Sequence, residues 1–305
     1  AGSTLNALPQ ERADTASKNL GNIGNTVNTK TDDYAPQFIN GRLYYSTELT
    51  LPGKRPKALM SEHAIADHSG AFTDNASVNK GWATPRMLGG APMAGMKLNM
   101  NEGAMSLLPE QHFGIFAAER ISTTGTSSLL DLYQLTINDQ LEPTGEPQPL
   151  ANVNEPNAWE SQPALSLDGK VLYFVSDRPV PPATARGHMH IYRSDRSADG
   201  TSWGMPKILP APFTTDSDDV SPHVGSDGYF YFSSDGNPDG KSAPAGMGRR
   251  DIFRARFRND QIVSRPERLP APINSDGDDD FPFITRERAW IWLASDRANG
   301  SGARD

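Results

Sequence analysis

Hydrophobic positions along the chain fall into short runs of alternating character that come in recurring sets. Five stretches align with one another: Tyr34–Thr50, Ala104–Ser122, Gln162–Pro179, Ser221–Pro238 and Phe281–Ala298. Each opens with a short apolar strand begun by a proline, except in the second copy. A turn follows, Asp-Gly in two copies, and then an aromatic-rich strand that ends in an acid. The openers are Pro36, Met105, Pro163, Pro222 and Pro282, spaced 58 to 69 residues apart. A third strand is predicted over Asp131–Thr136, Met189–Ser194 and Asp251–Arg256, where Ile252, Arg254, Arg256 and Arg258 share one parity and Phe253 and Phe257 the other. The same-side arginines near 250–258 read as a solvated outer face. A fourth strand is marked by Trp82–Leu88, Trp203–Leu209 and Ser264–Leu269, whose prolines suit an outer edge where a missing N–H is tolerated. Four strands per unit, repeated radially, predict an all-β chain folded as a β-propeller of about five four-stranded blades, six being possible.

The connections between units repeat as well. In Leu209–Pro222 and Leu269–Pro282 an apolar residue, Phe213 or Ile273, stands nine positions before the opening proline, and Val27 stands nine positions before Pro36. Residues from about 19 to 29 therefore read as the outer strand of the last blade, the N-terminal segment closing the ring with residues near the C-terminus. On this reading residues 1–18 are an N-terminal extension and 19–305 the propeller. Residues 51–81, 89–102, 179–188 and 236–249 read as insertions, and loops on a rigid scaffold are where recognition is commonly placed.

The run Pro163–Arg178, P-A-L-S-L-D-G-K-V-L-Y-F-V-S-D-R, followed by a D-I-Y-like third strand, resembles the PD40 repeat of TolB-type (WD40-like) propellers of bacterial envelopes. The resemblance covers about Leu20 to Asp305. It implies a non-catalytic cell-envelope scaffold that mediates protein–protein interaction, in the periplasm or associated with the outer membrane or cell surface, after removal of a signal or lipoprotein anchor. Its implied partner is another envelope protein or a peptidoglycan-associated component, and envelope proteins of this class often carry a peptidoglycan-binding OmpA-like domain after the propeller. Two other readings stand beside it. One is a carbohydrate-binding or carbohydrate-active propeller, glycosidase- or lyase-like, using acids at the channel mouth; the other is the propeller part of a larger peptidase-like chain.

Composition narrows these classes. The 305 residues carry 27 glycines and 25 prolines, which favours many short strands joined by tight turns. No apolar run approaches the length of a transmembrane helix. The formal charge of −8 and the lack of a basic cluster disfavour nucleic acid, whose binding depends on concentrated Lys and Arg. Cysteine is absent, which excludes disulfides and thiolate metal sites.

Candidate chemistry lies in two repeated acids. Asp33, Glu102, Glu160, Asp219 and Asp279 stand three positions before each opener. They could ring the channel mouth as a ligand site, or each could cap its own turn. Recurrence in every unit favours capping, since glycoside hydrolysis needs unlike carboxylates in separate roles. The second acid ends each aromatic strand, at Glu48, Glu119, Asp177, Asp235 and Asp296, with Arg120, Arg178 and Arg297 following in three copies. This Ser-Asp-Arg element reads as a turn fixture that pairs neighbouring blades, the arginines being alternative ligand groups. Asp276, Asp278 and Asp280 are weak calcium candidates without EF-hand spacing. His188 and His190 share a strand face but lack a third zinc ligand. No cofactor other than possible calcium is expected, and no catalytic residue is assigned.

Overall fold

The computed structural model describes residues 27–28, 32–49, 60–70, 80–87, 102–120, 129–181, 186–242, 249–287 and 290–297. They form five antiparallel sheets arranged around an axis. Blade 1 comprises β1 (Asp33–Ile39), β2 (Arg42–Leu49), β3 (Met60–Asp67) and β4 (Arg86–Met87), and blade 2 comprises β5 (Glu102–Leu108), β6 (Phe113–Glu119), β7 (Leu130–Ile137) and β8 (Pro143–Pro149). Blade 3 comprises β9 (Glu160–Leu165), β10 (Val171–Ser176), β11 (His190–Asp195) and β12 (Lys207–Ile208). Blade 4 comprises β13 (Asp219–Val224), β14 (Tyr229–Ser234), β15 (Asp251–Arg258), β16 (Gln261–Ile262) and β17 (Glu267–Arg268). In blade 5, β18 (Asp279–Ile284) and β19 (Ile291–Ser295) are described.

The middle strands are apolar on both parities because each blade is sandwiched between two others. In β14, Phe230 and Phe232 pack into a cluster with Tyr173 and Val175 of blade 3, while Tyr231 enters a second cluster with Ile284 of blade 5. Clusters of the same kind join blade 1 to blade 2 around Tyr44 and Phe116, and blade 2 to blade 3 around Ile115 and Phe174. The last interface closes the ring: Trp292 of blade 5 packs with Leu43, Tyr45 and Trp82 of blade 1, and its ring stacks on Phe38 at 5.4 Å. Burying each such aromatic contributes roughly 1.5–3 kcal/mol, so stability is distributed over the interfaces and no single centre dominates.

Val27 lies in the same closing cluster, 1% exposed. It is a turn residue equivalent to Phe213 and Ile273, which are also buried. Val27 thus sits between the last blade and the first; the rest of the expected outer strand over residues 19–29, apart from Asn28, and residues 1–18 lie outside the described residues.

Three sequence assignments change. Residues 51–81 are not solely an insertion, because β3 occupies Met60–Asp67 and pairs with β2 along its whole length. Blade 2 has a fourth strand, Pro143–Pro149, which its three prolines and lack of alternation conceal. The arginine stripe is not uniformly solvated. Arg254 is buried under Tyr229, 4.5 Å from its ring, and donates to Glu267 at 2.7 Å, leaving only Arg256 and Arg258 exposed on that parity.

Candidate functional site

Two regions carry the candidate chemistry: the face from which the innermost strands start, and the cavity on the axis. The innermost strand starts, the second strand ends and the third starts on the same face. The connections from second to third strand therefore all leave from it.

On this face the first repeated acids are buried inside their own blades. The side chains of Glu160, Asp219 and Asp279 have 0% exposure. Each accepts a backbone N–H from the turn before it: Glu155 to Glu160 at 3.1 Å, Thr215 to Asp219 at 2.7 Å and Ser275 to Asp279 at 2.6 Å. The serine that ends the second strand donates to the same carboxylate, Ser176 to Glu160 at 2.8 Å and Ser234 to Asp219 at 2.7 Å. Burial pushes the Glu160 carboxyl up, opposed by the charge of Arg178. Asp33 is buried at the start of β1; together with burial, its charge pushes the Tyr45 hydroxyl up. The side chain of Glu102 lies outside the described residues, as does that of Glu48.

The second acids fix the same turns from the other side. Asp177 accepts the N–H of Trp159 at 2.9 Å, Asp235 that of Asp218 at 2.8 Å and Asp296 that of Asp278 at 2.5 Å. The arginines of the motif then tie the blade to the connection leaving the preceding one. Arg178 donates to Glu160 at 2.9 Å and to the Val153 carbonyl at 2.7 Å; Arg297 donates to Asp279 and, at 2.7 Å each, to the carbonyls of Pro272 and Ile273. Arg120 differs: it grips Asp131 with two nitrogens and reaches the Glu155 carbonyl at 2.8 Å, in the connection leaving its own blade. A carboxylate or guanidinium so engaged is costly to redirect to a ligand. Glu160, Asp219 and Asp279, with Arg120, Arg178 and Arg297, therefore hold the blades' internal framework, and for these three acids the capping role is the one their bonds describe.

Outside this framework two arginines and a histidine lie exposed on the same face. Arg186, side chain 45% exposed, pairs with Asp177; His188, 60% exposed, contacts Asp218 at 3.3 Å; Arg249, 71% exposed, donates to Asp278 at 3.2 Å. The calcium candidates are taken up by arginines: besides Arg249 on Asp278, Arg250 donates to Asp280 at 3.0 Å, and Asp276 stands exposed and apart. His188 and His190 point to two different acids, Asp218 and Asp219. Among the described residues no group of three or more acidic or histidine side chains is placed to hold a metal ion.

On the axis, the innermost strands of all five blades enclose a cavity of about 80 Å³. Each of these strands shifts register near its opener. In four of them the residue just before the opening proline takes a left-handed backbone: Ala35 (φ 54°), Gln162 (52°), Ser221 (51°) and Phe281 (50°). Such a bulge costs about 1–3 kcal/mol for a residue with a Cβ. Neighbouring blades hold it through polar side chains that cross from one innermost strand to the next. Gln37 donates to the Met105 carbonyl and accepts the Leu107 N–H at 3.1 Å; Ser106 accepts the Leu165 N–H at 3.0 Å. Gln162 accepts the Ser221 N–H at 2.7 Å, and His223 accepts the Ile284 N–H at 3.0 Å. The fifth link is aromatic, Tyr34 against Phe281 at 5.3 Å. Sequence reasoning missed this staple ring, although a polar residue directly after the opener, at Gln37, Ser106 and His223, was a visible signal. Among the described residues no Asp or Glu lines the cavity.

These features define a β-propeller with an apolar axial cavity. Among solved structures the chain is similar to an endo-arabinase from Bacteroides thetaiotaomicron, at 14% identity over 92% of this chain and 93% of that one, TM-score 0.48. It is also similar to an alpha-L-arabinofuranosidase from Lactobacillus brevis, at 15% identity over 92% and 86%, TM-score 0.47. A third is the Hadza microbial sialidase Hz136, at 14% identity over 76% of this chain, TM-score 0.45; the chain spans 46% of that protein's length. At such identities the likeness concerns the fold alone. No family model matches the chain, and no curated protein matches it. Among the described residues no helix is long and apolar enough to cross a membrane.

Proposed function

We propose that this chain is a non-catalytic binding propeller that engages a protein partner through the face from which its innermost strands start. The observation that carries the reading is the division of labour among charged groups on that face. The buried acids Glu160, Asp219 and Asp279 and the half-buried Arg120, Arg178 and Arg297 are engaged in turn-fixing bonds, while Arg186 and Arg249 present exposed cations on the same face, with His188 exposed among them. Exposed charge on a rigid frame steers and orients a partner at little cost to the fold. A glycosidase would instead need two open carboxylates flanking the substrate, and among the described residues no acid lines the axial cavity. As the resemblance to PD40 repeats implies, the partner would be an envelope protein.

The test is photo-crosslinking from a probe placed at Asp216, exposed in the turn before Asp219 on the same face, in envelope extract, beside a glycan array probed with the same protein. A single protein adduct lost in an Arg186→Glu/Arg249→Glu variant, with a silent array, supports the reading. A saturable glycan signal without a protein adduct overturns it in favour of the carbohydrate reading, which uses the same face.

A further inference from the structure

The opposite end of the axis carries a different arrangement. The turns between first and second strands converge there, and Arg286, from the β18–β19 turn, lines the cavity mouth. Its partner is Glu110, in the turn Pro109–Gln111 between β5 and β6. Blades 5 and 2 are not neighbours in the ring, so this ion pair spans the opening. Both side chains are largely solvated, 40% and 60% exposed, and a pair so exposed contributes little to stability. Leu167, 49% exposed, forms an apolar lip at the same cavity.

Inside, the walls are apolar, with Met105, Leu165, Val224, Phe283 and Ile284 among them. Of the uncharged polar side chains in the lining, Gln37, Ser106, Gln162, His223 and Ser226 are engaged with backbone groups of the next blade, and Ser221 also donates to Gln162. The space, about 80 Å³, is near half of the roughly 150 Å³ apolar cavity that takes a benzene, so it fits three or four carbon atoms. We infer that the axial cavity is a binding site for a small branched apolar group ending in a carboxylate, the apolar part seated among these walls and the carboxylate on Arg286 in place of Glu110. A guanidinium fork matches a carboxylate with two parallel hydrogen bonds, and the ligand keeps its charge at the wet mouth, where desolvation is least. This inference is independent of the partner proposed for the other face.

The experiment is an NMR titration that follows methyl resonances of Met105, Leu165 and Val224, with isovalerate, isovaleramide and N-acetyl-leucine as probes. Arg286 and Glu110 are exposed, so Arg286→Gln and Glu110→Gln should fold, and matched thermal unfolding checks this. The expected result is saturable binding of isovalerate, weaker by about tenfold for isovaleramide and for Arg286→Gln, and tighter for Glu110→Gln. N-acetyl-leucine binding more tightly than isovalerate would mark a peptide chain end as the source of the group; the reverse would mark a free acid. The inference is overturned if acid and amide bind alike, if Arg286→Gln leaves binding unchanged, if Glu110→Gln weakens it, or if no probe moves the methyl resonances.

Discussion

His223, in the innermost strand of blade 4, accepts the backbone N–H of Ile284 in blade 5 at 3.0 Å through Nε2. The bond requires the ring to keep that nitrogen unprotonated, and burial holds the imidazole neutral, pushing its pKa down to about 3. A blade-to-blade link thus depends on the charge state of one ring that faces Phe283 at 4.9 Å and Tyr231 at 6.4 Å.

Acid should therefore weaken the ring. Unfolded, His223 titrates near 6.5, so below that pH the unfolded chain takes up a proton that the folded chain refuses. Stability falls as pH drops from about 6.5 towards 3, by about 1.4 kcal/mol per unit for this group. Asp227, whose carboxyl is raised by burial, acts in the opposite sense, so the comparison is between variants. His223→Gln, which retains an acceptor, should show a flatter stability–pH profile between 6.5 and 4 by urea unfolding. Parallel profiles would remove His223 from the account.

Asn274 should be among the least replaceable polar residues. It is fully buried, accepts the Ile252 N–H at 2.7 Å and donates to the carbonyls of Ile252 and Leu269 at 2.9 and 2.8 Å. Asn154 clamps Leu132 in the same way in blade 2. Asn274→Ala leaves buried backbone groups unpaired and should cost about 2–4 kcal/mol, measured by chemical denaturation. A loss under about 1 kcal/mol would mean that water replaces the clamp.

The buried pair of Arg178 and Glu160 should be strongly coupled. Arg178→Met strands the Glu160 carboxylate and should cost about 3–5 kcal/mol. Adding Glu160→Gln removes the stranded charge, so the double variant should be more stable than the sum of the single losses predicts. Additive losses in a double-mutant cycle would show that the pair is not a unit.

Calcium should leave the fold unmoved. Asp278 and Asp280 already bear Arg249 and Arg250. Adding calcium, or chelating it, should not shift the thermal midpoint; a rise with calcium concentration would indicate a site that displaces these arginines.

The propeller was legible in the sequence because its repeat is local. An opening proline, an aromatic strand and a Ser-Asp-Arg end follow one another at short range within each repeat, and their spacing survives in one dimension. For the same reason Glu160, Asp219 and Asp279 could be read as turn caps, since the N–H groups they accept lie four or five residues away. The strands at Met60–Asp67 and Pro143–Pro149 escaped because outer positions are held by pairing to a strand already in place, not by their own alternation.

What only the tertiary structure decided is which groups meet across the ring. Nothing in the sequence joins Gln37 to Leu107, 70 positions away, or Arg286 to Glu110, 176 positions away. Those contacts follow from closing the sheets around an axis, when side chains from separate repeats come to face one space. The blades were thus determined by short-range pattern. The axial cavity, its staples and its charged mouth came from ring closure, since long-range proximity arises only once the hydrophobic faces between blades are buried.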